Sequence, residues 1–230
     1  MVKKAVCIFI IGLFTSAGFS QITTLINPNY SLKSHETLEI IKIEAGSKAT
    51  IFYMRIENRI AGGTFCADKN IYIIYPDGKR SKMSSSSGIP VCPDTYKFKS
   101  PGEKLDFILG FPPLKQGTEW VDLVEDCSEN CFSFYGITLN GELNNRIDNA
   151  FALAENGEEA KALTSFISIA DGIDKKNSGI MGLIYINIIK LARETGDEPK
   201  ALEWYNKFKL SDAPRLSQYL KYLNDQGIKY

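Results

Sequence analysis

This chain of 230 residues has a single histidine, His35, and no excess charge of either sign, since 27 lysines and arginines balance 27 aspartates and glutamates. Each shortage excludes something. A nucleophilic serine needs a base held against it, and no histidine lies near the serine-rich tract Ser81–Gly88, which therefore reads as a solvated, mobile loop. His35 stands among polar residues just before a strand and reads as an exposed loop side chain rather than a general base. Nucleic-acid binding leaves a basic stripe, and none is visible. No phosphate loop, dinucleotide fingerprint or zinc-protease motif occurs, so no cofactor is expected. Catalytic residues cannot be placed. Any two acids could meet in the fold, which keeps a hydrolase working with scattered carboxylates open as a third reading.

Apolar runs long enough to span a bilayer are also missing. Within Met1–Ser20, Lys3 and Lys4 precede the apolar run Ala5–Phe14, and Gly18 and Ser20 are small residues placed for cleavage before Gln21. This pattern predicts a signal peptide over 1–20, and hence a secreted, periplasmic or cell-envelope protein with no transmembrane segment after signal removal. Cys7 leaves with the signal. Four cysteines then remain, Cys66, Cys92, Cys127 and Cys131, and an even count in an exported chain favours disulfides. Three pairings are open; proximity favours Cys127–Cys131 with Cys66–Cys92. Zinc is the weaker alternative, because it takes four ligands at short spacings, usually with histidine.

The stretch from Trp120 to Leu139 organises the chain. Val121, Leu123 and Val124, then Phe132, Phe134, Tyr135, Ile137 and Leu139, suit a pleated surface, and the polar segment between them suits a turn. Glu125, Asp126 and Glu129 crowd that turn. Their oxygens suit calcium, but the spacing of a calcium loop is absent, and a solvated turn is the expectation. Before this hairpin the pattern is short strands: Thr37–Glu44, Lys48–Asn58, Asn70–Tyr75 and Lys104–Phe111, with Thr50, Phe52, Met54 and Ile56 on one face. Residues 21–141 therefore read as an antiparallel β-sandwich, immunoglobulin-like in shape only.

After Gly141 the period becomes helical, over Leu143–Glu155, Glu158–Ala170, Ile180–Thr195 and Glu198–Lys209. The isoleucine-rich third segment is apolar nearly all round, as suits an element covered on both sides. Gly157 and Gly196, Ala162 and Ala201, Phe166 and Tyr205, and Ile169 and Phe208 are each 39 residues apart. This region, Glu142 to about Pro214, resembles the tetratricopeptide family in its glycine, alanine, aromatic and apolar spacing. It departs in its period and in lacking the family's first-helix tryptophan. The resemblance implies helical hairpins over 142–230, not a ligand. A last helix, Ala213–Gln226, is expected to cap them with Leu216, Leu220 and Leu223 inward and Arg215, Gln218 and Lys221 outward. Two hairpins and a cap are fewer than the three repeats such arrays need, so the helices should dock on the sheets or on a partner.

The function expected from these features is an exported, non-enzymatic interaction module with another exported or cell-surface protein as its partner. Its oligomeric state is left open. The alternative is a carbohydrate- or small-ligand-binding sandwich, for which Tyr30, Tyr96 and Trp120 are the candidate aromatics.

Overall fold

The structure, a computed structural model, describes residues 23–230; the expected signal segment 1–20 lies outside them. Twelve strands precede five α-helices among the described residues. The strands are β1 (Thr23–Ile26), β2 (Leu32–Lys33), β3 (Leu38–Ala45), β4 (Thr50–Glu57), β5 (Thr64–Phe65), β6 (Ile71–Ile74), β7 (Arg80–Lys82), β8 (Ser85–Ser87), β9 (Tyr96–Lys97), β10 (Lys104–Phe111), β11 (Trp120–Glu125) and β12 (Ser133–Thr138). They form two five-stranded antiparallel sheets, ordered β1-β3-β4-β10-β8 and β2-β12-β11-β6-β7, and the small pair β5-β9.

Period-2 alternation builds the first sheet. Thr50, Phe52, Met54 and Ile56 of β4 are buried and their neighbours are not, and β10 brings Phe107, Leu109 and Phe111 to the same side. Ile71, Ile73, Val121, Leu123 and Phe134 from the second sheet, with Phe132 just before β12, close one shared apolar core. Each such side chain contributes roughly 1.5–3 kcal/mol on full burial.

Ser81–Gly88 corrects an expectation. The segment is not a free loop: β7 borders the second sheet and β8 pairs with β10 in the first, so two residues carry the chain from sheet to sheet. The Ser84 N–H and hydroxyl both donate to the Gly110 carbonyl, at 2.8 and 3.0 Å. Serines show no hydrophobic period, yet their small hydroxyls fit an edge strand. A β-carbon added at Gly110 would lie 2.5 Å from Ser85 Oγ, which shows how closely that edge packs.

The helices are α1 (Gly141–Glu155), α2 (Glu159–Gly172), α3 (Met181–Glu194), α4 (Glu198–Lys209) and α5 (Leu216–Asp225), with a 3₁₀ segment, Lys175–Ile180, before α3. Asn140 caps α1 by accepting the Leu143 N–H at 2.9 Å, and Asp197 caps α4 by accepting from Lys200 at 3.1 Å. Gly157 and Gly196 follow α1 and α3 with positive φ of 75° and 79°, where a β-carbon would be strained. Ala162, Ala201, Phe166, Tyr205, Ile169 and Phe208, from the pairs 39 residues apart, are all buried. Helix α3 packs on both α2 and α4, as its all-round apolar character requires.

The two halves are welded through β11, β12 and the 3₁₀ segment. Trp120, a candidate aromatic of the ligand-binding alternative, is buried against Gly179: a β-carbon there would lie 2.3 Å from its Cδ2. Ser31 Oγ donates to the Gly179 carbonyl at 2.6 Å. Asn29 donates through its backbone to Asn144 Oδ1 at 2.7 Å and through its side chain to Asp148 Oδ1 at 2.7 Å.

Arg215 is the second correction. It precedes α5 in the left-handed conformation (φ 59°), so it does not follow the outward stripe of Gln218 and Lys221. It reaches back to the sheet, donating to Asp122 Oδ2 at 2.6 Å with its guanidinium 3.8 Å from the Tyr135 ring centre. Leu223 is buried as expected, while Tyr219 is the large buried anchor of α5 that the leucine stripe did not indicate.

Candidate binding cleft

Strand β11 starts beneath the helices at Trp120 and ends, at Glu125, in a cleft of about 540 Å³ between the loops at that end of the sheets. His35, Arg59, Ile60, Phe65, Glu125 and Glu129 are among the groups facing it, together with both cystines. Cys66 and Cys92 are bonded, as are Cys127 and Cys131, so the proximity pairing is the one present. On the loop-entropy account the longer loop contributes about 3.5 kcal/mol and the shorter about 2. The two bonds fit an oxidising, extracytoplasmic environment. No helix among the described residues is long and apolar enough to cross a membrane.

Glu125 departs from the solvated-turn expectation. It is buried, its Oε1 accepting the Asp68 N–H at 2.7 Å and its Oε2 the Phe132 N–H at 3.0 Å. Burial pushes its carboxyl above the ordinary range, against the pull of those two donors. With both oxygens engaged, this acid brackets the β11–β12 turn to the β5–β6 connection. Asp126 is exposed and pairs with Arg80 at 3.4 Å; Glu129 is exposed at the turn tip. Among the described residues no group of three or more His, Cys, Asp or Glu is placed to hold a metal ion.

His35 is half-buried rather than exposed, and burial pushes its imidazole below its ordinary range, towards the neutral form. Its Nδ1 lies 2.8 Å from Ser34 Oγ, which also accepts the Ser133 N–H at 2.8 Å. That hydroxyl latches β2 to β12.

The loop after β4 supplies the feature that sequence reasoning missed. Asn58 is buried, and its side-chain amide donates to the carbonyls of Ile60 at 2.7 Å and Ser100 at 2.8 Å. Its Oδ1 lies so close to Gly63 that a β-carbon there would sit 2.0 Å away. The loop so fixed holds Ile60 67% exposed at the cleft. The signal was legible in outline: an asparagine ending a strand, followed shortly by a Gly-Gly pair, is turn chemistry. The outward direction of Ile60 was not.

The other candidate aromatics form no flat platform. Tyr30 meets Phe134 edge-on at 5.0 Å, and Tyr96 donates to Glu103 Oε1 at 2.6 Å while packing edge-on against Phe98. A second cleft, of about 580 Å³, lies at the seam between the halves, but its polar wall includes Asn29 and Asp148, already bonded to each other. No family model, curated protein or solved structure matches this chain.

Proposed function

We propose that this chain is an exported, non-enzymatic interaction module that binds another exported or cell-surface protein at the disulfide-framed cleft. In this reading the two sheets form an immunoglobulin-like sandwich, and α1–α4 form two tetratricopeptide-like hairpins that brace it. The observation that carries the reading is the Asn58 loop. A buried, fully bonded asparagine holds a large apolar side chain out in water, beside half-buried Phe65 and a polar rim of Arg59, Glu129 and Asn130. An apolar anchor within a polar rim is the anatomy of a protein interface, and a loop fixed in advance loses little entropy on binding. The hydrolase alternative draws no support from Glu125, whose oxygens serve backbone N–H groups. The carbohydrate alternative draws none from Trp120, which is covered.

The test is affinity capture from the protein's own envelope fraction with wild type, Ile60→Glu and Ile26→Glu, the last being an exposed isoleucine on β1 as control. A charged side chain at a central anchor is expected to weaken the partner by roughly 30-fold or more, since such anchors carry about 2 kcal/mol or more. Ile26→Glu should retain it. Equal recovery by wild type and Ile60→Glu would remove the cleft from the interface.

A further inference from the structure

We propose that the Cys127–Cys131 disulfide is a site of thiol–disulfide exchange that opens while the rest of the fold, including Cys66–Cys92, stays closed. Its substrate class is a neutral or cationic dithiol. The inference rests on the surroundings of the two cystines, not on the partner proposed above.

The two bonds staple their segments differently. Beside Cys66–Cys92 the backbone already ties the same segments together. Ala67 N–H donates to the Pro90 carbonyl and Cys92 N–H to the Ala67 carbonyl, each at 3.0 Å, and Ala67 is fully buried. The turn closed by Cys127–Cys131 is tied more lightly: among the described residues, 127–131 make no backbone–backbone hydrogen bond, and the Ser34 hydroxyl donates to the Cys131 carbonyl at 3.4 Å. Ser128, Glu129 and Asn130 are exposed between the two half-buried cysteines. Attack on a disulfide needs a thiolate in line with the sulfur–sulfur bond, and a turn without internal backbone–backbone hydrogen bonds yields to that approach more readily.

The strand ends do not depend on this bond. Glu125 N–H donates to the Phe132 carbonyl at 3.0 Å, the Glu125 carboxylate holds the N–H groups of Phe132 and Asp68, and Asp126 N–H donates to Asn70 at 2.8 Å. Opening is therefore confined to the tip. The product is accommodated as well, because the Glu129 carbonyl lies 3.2 Å from Cys127 Sγ and can accept a hydrogen bond from the new thiol.

The step balances in two displacements. A thiolate of the dithiol attacks one sulfur of the pair, forming a mixed disulfide and releasing the other cysteine as a thiolate, which takes a proton. The second thiol of the reductant, deprotonated, then displaces the first cysteine. Two electrons pass from the dithiol, which ends as a disulfide, to Cys127 and Cys131. Asp126 is offset by Arg80 at 3.4 Å, which leaves Glu129 at the exposed tip to repel an anionic thiol, and salt screens that repulsion.

The test treats the folded full chain with dithiothreitol, quenches by alkylation at intervals, and maps labelled peptides. Cys127 and Cys131 should be labelled at least about tenfold faster than Cys66 and Cys92, with the far-ultraviolet circular dichroism unchanged. At equal thiolate concentration, glutathione should react more slowly, and the gap should narrow in high salt. In a Cys66→Ala/Cys92→Ala variant, a remaining bond that opens at the wild-type rate would confirm local control; if that variant fails to fold, the wild-type labelling order decides. Simultaneous opening, earlier opening of Cys66–Cys92, or labelling that follows loss of the circular dichroism signal would overturn the proposal.

Discussion

Gly136→Ala should lower the unfolding free energy by about 3–5 kcal/mol, combining positive-φ strain with overpacking at a closed site. Gly136 adopts φ 64°, and a β-carbon there would lie 2.0 Å from the Gly179 carbonyl oxygen, with Ser31 Oγ 3.0 Å away. Neither neighbour is free to give. The carbonyl belongs to the 3₁₀ segment packed on Trp120, and the Ser31 hydroxyl is bonded to that carbonyl. Gly78→Ala is the control, having φ 76° with open space around it, and should cost only about 1–2 kcal/mol. Denaturant unfolding of both variants measures the difference. Equal costs would mean that the sheets and the 3₁₀ segment part easily at this contact.

Arg215→Leu should be comparably damaging, and more so as pH rises. The Asp122 side chain is 4% exposed and Arg215 25%, so removing the cation strands a buried carboxylate, a loss of about 3–5 kcal/mol. Burial already pushes Asp122 above the ordinary carboxylate range, although Gly136 N–H, at 2.7 Å, and Arg215 both favour the ion. Losing Arg215 raises it further. A folded-state pKa above the unfolded one favours the folded state below the unfolded pKa of about 3.9, and that benefit disappears as pH climbs through the folded pKa. The variant's deficit relative to wild type should therefore be small near pH 4 and largest at pH 7–8. Thermal melts of the two proteins at both pH values read it directly; a deficit independent of pH would mean that Asp122 is not left charged and buried.

Where one face of an element was apolar, its place was legible. The alternation of β4 and β10, the β11–β12 hairpin and helices α1 to α4 follow from periods of two and 3.6, because burial alone sets those patterns. Side chains whose positions depend on a distant partner were not legible. A helix running from Ala213 sends Arg215 outward, but α5 starts only at Leu216, and the left-handed backbone of Arg215 and Asp122, 93 residues away, turn it in. Glu125 looked like one of three turn acids, and only the fold shows that Asp68 and Phe132 present N–H groups to it. Trp120 reads equally well as a surface aromatic until Gly179 is placed against it. The cleft was half legible: proximity paired its cysteines, but the outward Ile60 depends on the carbonyl of Ser100, 42 residues from Asn58.

These features describe helices that brace the sheets rather than a free array beside them. The apolar core of the helical half includes Leu32 from β2 at its edge, and Trp120, Ser31, Asn29 and Arg215 tie it to the sheets. Scanning calorimetry of the full chain tests this most directly. One transition is predicted, with calorimetric and van 't Hoff enthalpies in agreement, as for a single cooperative unit. Two resolved transitions, with the helical circular dichroism signal following only one of them, would contradict it.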